Sequence, residues 1–216
     1  MFCMAWGFFY THDRKKYLIR MYLFGFGMAF IDIICNNIIT DPIALISNNI
    51  FVTLFLVGVI IWLIEIAKTD KKKGFLYIIL FLACQVLSSI LCIVAAHTFP
   101  INGIYGFVGA ITANLIFNEG SFIFVFLGVL IYFNRINRQN LILAYGLFTL
   151  GFMALEWSMS PQLTALLFSN YQWMMIAALP LMLVYNGQKG KGFKYFFYFF
   201  YPIHIVILFF IGNYFF

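Results

Sequence analysis

From Phe75 to Ala96 the chain runs without one charged side chain, and from Asn49 to Ile64 it does so again. Hydrocarbon cannot hydrogen-bond a backbone, so such a segment in lipid must satisfy itself as a helix or join a closed barrel. Barrel strands alternate polar and apolar residues over about ten positions. These runs do not alternate, and helix is the reading. Water is a poor solvent for the whole: of 216 residues, 64% are apolar, 21% aromatic and 9% charged, more apolar surface than a soluble chain of this length buries. Disorder needs the opposite bias, and four cysteines inside apolar runs are too few for a secreted disulfide scaffold.

A crossing takes about 17 to 25 residues. Clear candidates run from Tyr17 to Cys35, Asn49 to Ala67, Phe75 to Ala96, Leu141 to Trp157 and Lys194 to Tyr214. Gly120 to Asn134 and Tyr171 to Tyr185 are shorter candidates, and Met1 to Tyr10 is apolar but too short to cross. The expected fold is all-α: a polytopic transmembrane helical bundle of about seven full crossings, an N-terminal partial helix and one short non-spanning helix. It forms a single integral membrane domain over residues 1–216.

All 13 basic residues fall in four clusters: Arg14, Lys15, Lys16 and Arg20; Lys68 and Lys71 to Lys73; Arg135 and Arg138; Lys189, Lys191 and Lys194. A net charge of +6 spread over such clusters, rather than over one face, does not point to nucleic acid. Read as topology signals, the clusters put these loops in the cytoplasm and the C terminus outside. The same parity makes Ile104 to Phe117 a short outer-surface or re-entrant helix. Only ten residues precede Thr11, about 15 Å of helix, so the chain is expected to begin partway through a crossing.

His204 lies ten residues beyond Lys194, about 15 Å along a helix and near mid-membrane. An imidazole there is costly without a partner and well suited to general acid or base work. Packing through a hydrogen bond to a neighbouring helix is the other reading. Pro202 frees the carbonyl of Tyr198 and invites a bend; Pro180 invites one in the preceding helix. Asp32 stands inside an apolar helix, about 18 Å beyond Arg20, and Glu119 stands at an outer boundary; both are candidate site residues. Glu65 has Lys68 within helical reach. The cations Arg14 to Arg20 suit the phosphates of a nucleotide-containing donor such as coenzyme A, or serve as lipid anchors.

Tyr185, Asn186 and Gly187 read as a helix stop, with Asn-Gly able to turn left-handed. The glycine-rich Gly190 to Gly192 follows, its amides and lysines able to hold an anion or simply to form a solvated turn. Cys84 and Cys92 are too far apart on one helix to share a metal, and no metal site is visible. Ser88 and Ser89 read as small-residue helix packing. No Walker pattern, dinucleotide fingerprint or nucleophile elbow occurs.

The run Tyr195-Phe-Phe-Tyr-Phe-Phe-Tyr-Pro-Ile-His204 resembles the closing signature of the TraX family, bacterial inner-membrane proteins named for acetylating the N terminus of conjugative pilin. Gln172-Trp-Met-Met and Ala178-Leu-Pro-Leu-Met-Leu-Val-Tyr-Asn-Gly187 resemble its penultimate helix and turn. Glu119-Gly-Ser-Phe-Ile-Phe-Val-Phe-Leu-Gly128 is similar to its glutamate-glycine-serine helix. Gly7-Phe-Phe-Tyr-Thr11 with Arg14-Lys-Lys-Tyr-Leu-Ile-Arg20 resembles an early loop of the family.

The resemblance implies a relative of the membrane acyltransferases, which pass an acyl group from cytoplasmic acyl-coenzyme A to a protein or envelope (glycan) acceptor. It implies acetyl-CoA as co-substrate, with Arg14, Lys15 and Arg20 on the donor phosphates. By the same resemblance His204 and Tyr201 would line the acyl pathway; together with the reading of the residues above, His204, Asp32 and Glu119 are the candidate catalytic residues and Tyr201, Tyr185 and Asn186 the candidate substrate pathway. Full-length relatives carry an earlier helix with an aspartate-histidine pair, so an N-terminally incomplete sequence is expected. Two other classes remain open: a transporter, which Asp32, His204 and proline-bent helices also suit, and an inactive truncated family member.

Overall fold

The computed structural model describes residues 1–39, 42–168, 172–188 and 194–214. The helices are α1 (Phe2–Tyr10), α2 (Arg14–Ile38), α3 (Ile50–Thr69), α4 (Lys71–Thr98), α5 (Ile104–Ile111), α6 (Ser121–Asn134), α7 (Arg138–Met159) and α8 (Leu163–Phe168). A 3-10 segment, Gln172–Ala178, leads into α9 (Leu179–Val184), and α10 (Lys194–Tyr214) follows. No strand occurs among the described residues. The expectation of an all-helical membrane chain holds: α2, α3, α4, α7 and α10 are long and apolar enough to cross a bilayer.

The two further crossings expected from sequence correspond to shorter elements. Helix α6 has 14 residues, about 21 Å of rise against a hydrocarbon core of about 30 Å. The other is not one helix. Gln172–Ala178 is 3-10, and Pro180 lies in the first turn of α9, where a missing N–H costs no hydrogen bond. Helix α5 ends at Ile111, short of the expected Phe117, because Ala113 turns left-handed at φ +50°.

Contacts divide the chain into two compact units. One gathers Met1–Tyr10 with the described part of Leu127–Gly190; the other gathers Thr11–Phe126 with the described part of Lys191–Phe216. In the first, Phe8 is fully buried and meets the Tyr132 ring edge-on at 6.1 Å. The Arg135 guanidinium lies 3.8 Å from the centre of the Phe9 ring and 4.1 Å from that of Tyr132, a cation–π arrangement. Phe2 and Trp6 pack on Tyr185. Tyr145 donates to the Met175 carbonyl at 2.8 Å, which ties α7 to the 3-10 segment.

In the second unit the aspartates that precede α2 and α4 cap them: Asp13 accepts from the Lys16 amide and Asp70 from the Lys73 amide. Each satisfies an amide that has no partner within its own helix. The α3–α4 hairpin closes tightly at Gly74, where a Cβ would stand 2.2 Å from the Ala67 Cα. Helices α2 and α10 run parallel. Phe24 stacks on Tyr198 at 4.3 Å, and Asn213, near the end of α10, bonds to Ala44, just past the end of α2. Met21, Met28, Cys35, Phe51, Tyr198 and Phe209 form the buried core there. Outside it α4 exposes Phe75, Leu76, Leu80, Val86 and Leu87, a surface suited to lipid rather than water.

Candidate functional site

Beyond α2 the chain folds back on itself through amide side chains. Asn36, fully buried, accepts from the Ile46 amide at 2.7 Å and donates to the Ile46 carbonyl at 2.8 Å. It replaces the strand partner that this extended segment lacks. Asn37 and Asn102 exchange side-chain and backbone bonds in the same way.

A second loop, 112–120, is held from α4. Asn114 is fully buried; its amide donates to Ser88 Oγ at 2.8 Å and Ser89 Oγ at 2.9 Å, and its Oδ1 accepts the Ile116 and Phe117 amides. Gln85 holds the Ala113 carbonyl and the Leu115 amide. Ser88 and Ser89 are therefore bonded into a network, a role beyond their expected one as small packing residues. The two hydroxyls, on neighbouring positions of α4, hold the Asn114 amide, and Asn114 and Gln85 in turn accept loop backbone amides that would otherwise be buried bare.

Between these loops lies a cavity of about 310 Å³. Asp32 from α2, Ser47 and Asn49 before α3, and Asn118 and Glu119 before α6 supply its polar lining, with Val52, Tyr105, Phe107 and Phe117 among the apolar walls. No Lys, Arg or His among the described residues lines it. Asp32 and Glu119, far apart in sequence, line the same cavity.

Glu119 is held on three sides. Its Oε2 accepts from the Tyr201 hydroxyl at 2.7 Å and its Oε1 from the Asn48 amide at 3.2 Å. The buried Thr53 hydroxyl lies 2.6 Å from its carbonyl oxygen and 2.9 Å from Asn118 Oδ1. Tyr201 oxygen also accepts the Ile50 amide at 3.2 Å. Asp32 is different: its Oδ1 is buried with no hydrogen-bond partner.

His204 packs edge-on against Tyr201, ring centres 5.4 Å apart, and its Nδ1 lies 3.0 Å from the Phe200 carbonyl of its own helix. It is not in the cavity wall. From the Phe24–Tyr198 stack, His204 is about 9 Å up α10 and Asp32 about 12 Å up α2, so the two share a level. Tyr201 thus stands between the imidazole and the acid-lined cavity.

The three candidate cations lie at the other end of α2, Arg20 about 18 Å from Asp32. Arg14 pairs with Glu65 across to α3; helix packing brings a guanidinium to the carboxylate from a distant part of the sequence. Lys15 is exposed beside an apolar hollow of about 430 Å³ whose walls include Leu18, Tyr22, Phe55 and Trp62. Arg20 is half-buried, its Nε without a partner.

Tyr185 and Asn186 belong to the first unit. Asn186 Oδ1 accepts the Gln188 amide, Tyr185 donates to the Gln188 carbonyl, and Gly187 takes φ +75°, the left-handed turn expected of Asn-Gly. The Gly190 to Gly192 turn, with Lys189 and Lys191, lies outside the described residues.

Sequence reasoning passed over Asn48, Asn49, Thr53, Asn114 and Asn118. The signal for them is amide side chains standing in apolar surroundings, which are costly there unless they bond. A family model described as TraX protein matches residues 107–212, a span that includes Asn114, Asn118, Glu119, Tyr201 and His204. No curated protein and no solved structure matches the chain.

Proposed function

We propose that this chain, which belongs to the TraX family by its match over residues 107–212, is a multi-pass membrane acetyltransferase. It takes an acetyl group from acetyl-CoA at the cytoplasmic face and passes it to a protein or envelope acceptor. The observation that carries this reading is the Tyr201 contact with both the His204 ring and the Glu119 carboxylate. It joins a candidate base to a cavity lined by two acids at the opposite end of α2 from the cations.

In this reading the basic loops are cytoplasmic, α6 and the Gln172–Val184 segment complete seven crossings, and the C terminus lies outside. Arg14, Lys15 and Arg20 meet the donor phosphates; Arg14 does so by exchanging its Glu65 partner. His204 takes the proton from the acceptor nucleophile as it attacks the thioester carbonyl. The carbon–sulfur bond then breaks, the acetyl group stays on the acceptor, and the coenzyme A thiolate leaves and takes up a proton. Glu119, fixed by Tyr201 and Asn48, and Asp32 orient the acceptor.

The test is transfer of labelled acetyl groups from acetyl-CoA in membranes carrying the full chain. His204→Ala and Glu119→Gln should each lower transfer on the order of a hundredfold or more. Label incorporation that ignores His204→Ala removes that residue from the mechanism. A cavity with two carboxylates and no cationic lining also suits a transport path. Absence of transfer together with dissipation of a solute gradient would favour that second reading, and absence of both an inactive family member.

A further inference from the structure

The start of α2 and the end of α3 enclose a hollow of about 430 Å³ whose exposed lining is apolar throughout, although Lys15 helps to form it. Lys15 therefore lends its methylene stem to the wall. Its side chain is exposed, and the ammonium stands clear of the hollow, as a cation does at a lipid–water boundary. The Tyr22 hydroxyl is turned from the lining too, since it donates to the Ile111 carbonyl at 2.7 Å. That bond fixes the phenol ring, whose centre is 5.4 Å from that of Phe55, so these two walls are pre-formed.

The Arg14–Glu65 pair sets the two antiparallel helices level with each other. From it Trp62 is about 4.5 Å deeper, Tyr22 about 12 Å and Phe55 about 15 Å. The hollow thus follows one leaflet's share of a hydrocarbon core about 30 Å thick. Its mouth is positive: Glu65 is taken by Arg14 and Asp13 by Lys16, and Lys15 has no acidic partner among the described residues. An occupant that fits is apolar over about 15 Å and anionic at the end level with Lys15. A soluble anion lacks the first property. A zwitterionic lipid meets the second poorly, because its own ammonium competes with Lys15 for the phosphate. We propose that the hollow seats one acyl chain of an anionic phospholipid, with the headgroup phosphate on Lys15. Such a lipid is neither donor nor acceptor of the acetyl group, and its headgroup competes with donor phosphates for Lys15.

The experiment follows Trp62, which lines the hollow, in the full chain reconstituted into bilayers without acetyl-CoA. Lipids brominated on their acyl chains quench a tryptophan they touch, and subtracting the signal of Trp62→Phe isolates this one. Brominated phosphatidylglycerol should quench it at about one-fifth of the mole fraction that brominated phosphatidylcholine needs. Lys15→Gln should bring the two lipids to parity, whereas Lys15→Arg and Lys16→Gln should keep the preference. Val59→Phe, which fills the hollow from α3, should reduce quenching by both. Equal quenching of the wild type would show an ordinary boundary lipid. A preference that survives Lys15→Gln, or is lost in Lys16→Gln, would show a diffuse effect of the basic loop. Quenching untouched by Val59→Phe would mean that no chain enters the hollow. Each of these overturns the proposal. So does octanoyl-CoA shielding Trp62 where phosphatidylglycerol shows no preference, which would make an acyl donor the occupant. Loss of the lipid preference leaves the His204→Ala test of acetyl transfer standing, and failure of transfer leaves the quenching result standing.

Discussion

The Tyr201 hydroxyl lies 2.7 Å from Glu119 Oε2 and also takes the Ile50 amide at 3.2 Å, so one phenol joins α10 to the start of α3 and to the cavity wall. Tyr201→Phe removes the donor to a carboxylate and strands a backbone amide. Stability should fall by about 1 to 3 kcal/mol, read as a lower unfolding midpoint in detergent. An unchanged midpoint would mean that the bond contributes nothing net.

Asn114 satisfies two serine hydroxyls and two backbone amides at once. Asn114→Ala leaves the amides of Ile116 and Phe117 without that acceptor, at a cost of about 1 to 3 kcal/mol for each group left unpaired. Hydrogen exchange should accelerate across residues 112–120 and remain near wild type in α7. Protection unchanged in the loop would show that Gln85 alone suffices to hold it.

Two glycines should respond oppositely to alanine. At Gly74 the new Cβ meets Ala67 backbone at 2.2 Å, so Gly74→Ala should force the α3–α4 hairpin apart and cost about 1 to 3 kcal/mol or more. At Gly27 nothing stands within 4 Å of an added Cβ, and Gly27→Ala should be neutral or stabilise by up to about 1 kcal/mol. Equal melting temperatures for the two variants would contradict the close approach.

The caps carry a pH dependence. Backbone hydrogen bonds from Lys16 and Lys73 hold the Asp13 and Asp70 carboxyls below their ordinary value. A depressed folded value means that the stabilisation is fully present above the unfolded carboxyl value, about 3.9, and is lost as pH falls through the lower folded one. Asn at both positions keeps a cap acceptor and removes the titration. Between pH 6 and pH 3 the wild type should therefore lose more thermal stability than the doubly substituted chain, and equal losses would refute the linkage.

Single cysteines test the orientation. Lys72→Cys and Arg138→Cys should be modified by an impermeant reagent only from the cytoplasmic side, and Thr98→Cys only from the other. Labelling of Lys72→Cys and Arg138→Cys from opposite faces would remove the donor-facing end of α2 from the proposal.

What the sequence determined by itself is the solvent and the helices. Charge-free runs such as Phe75 to Ala96 have one low-energy state in hydrocarbon, and that penalty is local, so it is legible residue by residue. The Asn186-Gly187 turn and the family signature ending in His204 are local too. Tertiary structure decided the long-range pairings: Arg14 on Glu65, across 51 residues; Asn114 on Ser88, across 26; and Tyr201 on Glu119, across 82. It also decided that Asp32 and Glu119 share one cavity. Helical periodicity fixes which residues share a face, but which face meets which depends on how the helices pack, a property of the whole chain that no local pattern encodes.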